Sequence, residues 1–136
     1  MAQPTFDPHD VQRFTSDDAT EWMEWSGTSL VDVVNEDESP ESKLGAVGFT
    51  RAPKGSSSEF EFAYDEVLIV TKGACTIRGR DREVTARVGE VVYLPAGVPG
   101  TFHADDDVEL VYVASSPYGE VNREMKATLL GTSPRG

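Results

Sequence analysis

The side chains best suited to moving protons sit together in one stretch, Glu59-Phe60-Glu61-Phe62-Ala63-Tyr64-Asp65-Glu66, which runs on through an apolar segment to Gly73. Glu59, Glu61 and Glu66 fall within eight residues of one another. Gathered in a half-closed apolar space, three carboxyls cannot all ionise. Desolvation and mutual repulsion hold a proton on one of them near neutral pH, which suits it to general acid or base work. Glu61 and Glu66 are the candidate acid/base groups, and Tyr64 is a candidate donor to a developing oxyanion. Glu59 is expected to position a small-molecule ligand, with Tyr93, Phe102 and Tyr112 as further ligand-contacting side chains. The alternative use of the same carboxylates is to bind a hard divalent cation, with His103 completing a shell of Glu59, Glu61 and Glu66.

Other chemistries lack their residues. There is no phosphate-cradling GxxxxGK[ST], no GxGxxG opening a helix and no GxSxG elbow. His9 and His103 are the only histidines. A serine or cysteine triad would need one of them beside a nucleophile, and a metal centre of several histidines is excluded if His9 lies in a loose leader. No cofactor is expected, a divalent metal being the alternative. Cys75 is the only cysteine, so neither an intrachain disulfide nor a cysteine-based zinc site can form. Its expected role is that of a small buried hydrophobe. The triple-Asp turn Asp105-Asp106-Asp107 lacks the alternating spacing of a calcium loop and reads as solvated.

The elements that must position these groups are strands. Residues 1–28 form a polar arm in which Asp17–Trp25 is expected to make one or two helical turns, capped by Ser16 or Asp17, with Trp22 and Trp25 on one face. Apolar blocks then recur at Leu30–Val34, Gly45–Arg51, Glu59–Ala63, Glu66–Thr71, Cys75–Arg78, Glu83–Val88, Val91–Leu94, Gly100–His103 and Val108–Ala114. Turn residues separate them, among them Lys72-Gly73, Gly79-Arg80-Asp81, Gly89 and Pro95-Ala96-Gly97. Short strands at this spacing indicate an all-β antiparallel sandwich or barrel. The division expected is an arm at 1–28, a barrel at 29–117 and a tail at 118–136, helical around Glu120–Leu130.

Within that barrel, Glu66 and Gly73 resemble the first motif of the cupin superfamily, in which a Glu and a Gly are separated by six residues. Gly89, Pro95 and Gly97 resemble the second, Gly-x5-Pro-x-Gly. The histidine pair of the first motif then falls on Glu59 and Glu61, and the histidine of the second on Gly100. Tyr64-Asp65-Glu66, the run Gly89-Glu90-Val91-Val92-Tyr93-Leu94-Pro95-Ala96-Gly97 and the strand Leu110-Val111-Tyr112-Val113-Ala114 are similar to the Q protein of ethanolamine-utilization operons, a cupin group without the metal histidines. The resemblance covers about Leu30–Ser116 and implies a single-domain jelly-roll cupin that dimerises. An acetate-kinase-like role is attributed to such proteins, though no phosphate cradle is present here. Two functions follow as expectations: a metal-independent enzyme working through cavity carboxylates, or a non-catalytic cupin that binds a ligand or assembles with other proteins.

The direction of the glutamates stays open at this level. Period-2 alternation buries Phe60 and Phe62 and exposes Glu59 and Glu61. The cupin register turns the glutamates inward and needs a second layer or subunit over the phenylalanines.

Composition limits the partners. Against 24 Asp and Glu the chain of 136 residues sets 12 Lys and Arg, a net charge of −12. Nucleic acid and anionic membrane surfaces are therefore not expected partners. Hydrophobic residues make up 38%, grouped in blocks, which indicates a folded globule. No run approaches the ~20 apolar residues of a membrane helix, and the first residues do not read as a signal peptide, so the cytoplasm is the expected location.

Overall fold

The structure, a computed structural model, describes residues 5–25, 27–36, 39 and 41–116. Ten strands follow in order: β1 (Met23–Trp25), β2 (Thr28–Asn35), β3 (Ala46–Ala52), β4 (Ser57–Phe60), β5 (Glu66–Lys72), β6 (Ala74–Arg78), β7 (Glu83–Arg87), β8 (Val91–Leu94), β9 (Gly100–Ala104) and β10 (Val108–Ala114). They form a six-stranded sheet, β1-β2-β3-β10-β5-β8, facing a four-stranded sheet, β4-β9-β6-β7. Every pairing is antiparallel. Two facing antiparallel sheets are what the strand spacing predicts, and the jelly roll is what the cupin resemblance implies.

Alternation explains which side of each strand is buried. In β5 and β10 the inward set is Glu66, Leu68 and Val70 with Val108, Leu110, Tyr112 and Ala114, all buried. Cys75 and Ile77 of β6 and Phe102 and Ala104 of β9 close the core from the other sheet. Each large aliphatic side chain removed from water here contributes about 1.5–3 kcal/mol. Tight turns need glycine at one junction in particular. Gly73, at φ 73°, links β5 to β6, and a Cβ there would meet the Asp107 carbonyl oxygen at 2.1 Å.

The N-terminal arm departs from the expected helix. Residues 16–18 make a turn, with Ala19 N donating to the Ser16 carbonyl, and Met23–Trp25 pairs as a strand with Thr28–Leu30. Side chains that a helix would have put on one face therefore go to two places. Trp22 packs with Phe14 against Val31 and Val33 on the outer face of the six-stranded sheet, under the Arg51 guanidinium at 4.4 Å. Trp25 packs against the inner core. Strand propensity and pairing with β2 outweigh a helical signal only two turns long. Arg51 Nε also donates to Glu109 at 3.0 Å, and Ser16 Oγ donates to the same carboxylate at 2.6 Å, which fixes the arm to the sheet. No helix occurs among the described residues, and none there is long and apolar enough to cross a membrane. The helical expectation at 120–130 lies outside the described residues.

Candidate functional site

Between the two sheets lies a cavity of about 80 Å³. With one water taking roughly 10–15 Å³ by this measure, it holds a handful of waters or a ligand of a few heavy atoms. Its aromatic lining comes from Trp25, Phe60, Phe62, Tyr64, Phe102 and Tyr112, and its carboxyl from Glu66. Among the described residues no Lys, Arg or His is part of the lining.

Parity along the chain builds one wall. Glu66 points inward as the first residue of β5, and Tyr64, Phe62 and Phe60 precede it at even spacings, all toward the core. Their rings stack in a ladder, Phe60 on Phe62 at 5.4 Å and Phe62 on Tyr64 at 4.9 Å, with interplanar angles of 14° and 17°. Trp25 meets Phe62 at 6.2 Å and closes the ladder from the side of β1. The interposed residues Glu59 and Glu61 are exposed and border shallow hollows on the outside.

The glutamate alternation is therefore settled in favour of inward, half-buried phenylalanines, and the inward cupin register is not adopted. Glu59 and Glu61 stand at odd spacings from Glu66 and cannot share its side of the chain without an extra bend. The expected cluster of Glu59, Glu61 and Glu66 does not assemble. Of the candidate residues, Glu66, Tyr64, Phe102 and Tyr112 are brought together in the cavity. Tyr93 is not among them. In β8 it is Val92 and Leu94 that turn inward, while Tyr93 is 60% exposed and its hydroxyl donates to Asp65 Oδ1 at 3.2 Å.

Burial governs the chemistry of Glu66. Desolvation first, and then the charge of Asp32, push its carboxyl up to about 8, so it holds its proton at neutral pH. The Tyr64 hydroxyl is raised far above its ordinary range by burial, then by Glu66 and Asp32, and stays a donor. Near neutrality Glu66 and Tyr64 thus each present an O–H to the cavity, and no cationic side chain among the described residues lines it to pair with an anion.

Sequence reasoning missed Phe60, Phe62, Trp25 and Asp32. The even spacing from Glu66 was a usable signal for the phenylalanines. For Asp32 the signal was a lone acid inside the apolar strand Ser29-Leu30-Val31-Asp32-Val33-Val34. Its two oxygens accept from Tyr112 Oη and, at 2.8 Å, from Asn35 Nδ2.

The residues present do not fit a divalent metal. Phenylalanines line the cavity beside Glu66, and Glu66 itself keeps its proton, whereas a cation needs several deprotonated donors. His103 of the alternative set is exposed on the outer side of β9, with Ser57 Oγ at 2.7 Å from Nδ1. No group of three His, Cys, Asp or Glu side chains placed to hold a metal occurs among the described residues.

Comparison with known proteins agrees with this architecture. The sequence matches the family described as ethanolamine utilisation protein EutQ over residues 9–118. Among curated proteins none matches. A putative ethanolamine utilization protein Q from Salmonella typhimurium LT2 is similar at 24% identity and TM-score 0.67, over 77% of this chain and 85% of that one. The Clostridium difficile EutQ protein is similar at 27% identity and TM-score 0.57, over 65% of this chain and 61% of that one. A predicted oxalate decarboxylase from Thermotoga maritima shares the fold at 17% identity and TM-score 0.65, over 76% and 98% of the two chains.

Proposed function

The chain belongs to the ethanolamine utilisation protein EutQ family of cupins, and from that premise we propose that it binds a small molecule in the aromatic cavity and acts on it as a metal-independent acid through Glu66. One observation carries the reading: a carboxyl buried among aromatic rings, where desolvation pushes it up to about 8 and favours its protonated form at neutral pH. Such a group donates to an acceptor oxygen or nitrogen of the ligand and can deliver its proton as negative charge develops there. Tyr64 supplies a second donor, and Phe102 and Tyr112 supply apolar walls. Glu59 and Glu61 have no part in this reading, since they stand outside the cavity.

Cytoplasmic work suits the single free thiol, which is buried. The proposed partner is a second copy, seated on the outer face of the six-stranded sheet where Val91 and Tyr93 are 61% and 60% exposed beside Val67 and Ile69.

The test is titration of the protein with a panel of small carboxylic acids, carbonyl compounds, alcohols and amines, followed by Trp25 fluorescence and then by turnover. A panel member is expected to bind with affinity unchanged by EDTA and by Glu61→Gln, and to lose turnover in Glu66→Gln. Binding abolished by EDTA, or turnover that survives Glu66→Gln, overturns the reading.

A further inference from the structure

Glu66 is only 8% exposed, and among the described residues no hydrogen bond reaches its carboxyl. A buried polar group without a partner is costly, and one set in a cavity wall calls for a partner from the cavity side. The cavity that Glu66 lines continues along Leu68 and Leu110 of its own sheet to Ile77 and Phe102 of the other.

The neighbouring rings restrict the charge of that partner. Phe60 stacks on Phe62 at 5.4 Å and 14°, and Tyr64 stacks on Phe62 at 4.9 Å and 17°. Phe62 therefore has both faces covered and offers the cavity only its C–H edge. That edge is the positive rim of the ring, which suits an electronegative atom; an ammonium group needs an open face instead. An anion is equally ill matched, because no Lys, Arg or His lines the cavity among the described residues. An uncharged molecule fits.

Hydrogen-bond valence narrows the class. A protonated carboxyl carries one O–H donor beside one carbonyl acceptor. A ketone, ester or ether answers the donor and leaves the acceptor without a partner. A primary carboxamide answers both: its carbonyl oxygen accepts from the Glu66 O–H, and its N–H donates to the Glu66 carbonyl oxygen. The leucines beyond suit an alkyl substituent. A cavity of about 80 Å³ sets the length at roughly five to eight heavy atoms, at the ~10–15 Å³ one water takes by this measure.

We propose that the cavity binds a short-chain primary carboxamide, paired with the Glu66 carboxyl through its carbonyl oxygen and N–H, its alkyl part lying against Leu68 and Leu110. The inference rests on the function proposed above and names the class of molecule that the cavity acid meets.

The experiment titrates the full chain near neutral pH with ligands of one shape: butyramide, butyrate, methyl propyl ketone and butyramidinium. Binding is read by calorimetry and by Trp25 fluorescence. Butyramide should bind at least about tenfold more tightly than each of the others, since the ketone lacks the donor and the remaining two carry charge. Glu66→Gln keeps a donor beside an acceptor, so it should keep the preference for the amide while losing turnover. Glu66→Met keeps the length of the side chain without either group, and should bind butyramide no more tightly than the ketone. Equal binding of butyramide and the ketone, tighter binding of butyrate or butyramidinium, or binding of none of the set overturns the inference alone. So does an amide preference that is lost in Glu66→Gln or that persists in Glu66→Met. Should Glu66→Met fail to fold, the ligand series on the wild type and on Glu66→Gln decides the matter. Turnover that survives Glu66→Gln overturns the proposed function instead, whichever ligand binds best.

Discussion

Replacing Glu66 with glutamine keeps the shape of the side chain and removes its ability to ionise, so the variant isolates what burying this carboxyl costs the fold. Unfolded, the group titrates near its ordinary 4.5; folded, it titrates at about 8. Below the lower value both states hold the proton, and Glu66 imposes no penalty. As pH rises between the two values the unfolded chain releases its proton while the folded one retains it, and each pH unit costs folding about 1.4 kcal/mol. Above the upper value the full penalty, about 4–5 kcal/mol, is in place. This is the reverse of an ion-paired carboxylate, which stabilises the fold as pH rises. Urea unfolding of wild type and Glu66→Gln from about pH 5 to about pH 9 measures it. Because every other titrating group is common to both proteins, the difference between the two unfolding free energies cancels their contribution. That difference should shift in favour of the variant by about 3–4 kcal/mol across the range. Parallel pH profiles for the two proteins would refute the claim that Glu66 is buried protonated.

Three further outcomes are expected. Gly48→Ala forces a Cβ against backbone and against the Tyr112 ring at once, and should cost about 2–3 kcal/mol in chemical denaturation, against a surface Gly→Ala change of well under 1 kcal/mol. The Cys75 thiol is fully buried and pushed up to about 11 by desolvation and then by Asp105; in the native state it should react with a disulfide reagent at least about 100-fold more slowly than after unfolding. Glu59→Gln and Glu61→Gln, both at exposed positions, should each change stability by less than about 0.5 kcal/mol in thermal unfolding.

Much of the sandwich was legible because alternation and turn chemistry are local. Leu68, Val70, Leu110 and Tyr112 announce their buried side by spacing alone, and Lys72-Gly73 announces its turn. The site was legible in part. Glu66, Tyr64, Phe102 and Tyr112 do line one cavity, whereas Glu59 and Glu61 were carried with them by a motif register one residue out of phase with the pleat. Tyr93 stays outside the cavity, since it sits between two inward residues of β8. The arm was misread because one or two helical turns carry too little intrinsic stability to resist pairing with β2.

By itself the sequence determined that this chain is an acidic all-β protein of cupin type, with its candidate chemistry near Glu66. Hydrophobic period and turn residues act over a few positions and need no partner to be read. Only the tertiary structure decided which distant side chains meet. Asp32 and Tyr112 are 80 residues apart, and they meet because β2, β3 and β10 fall into one row with a glycine in the middle. The proton on Glu66 is likewise a tertiary property. It exists because two sheets close over a carboxyl and exclude the water that would otherwise ionise it.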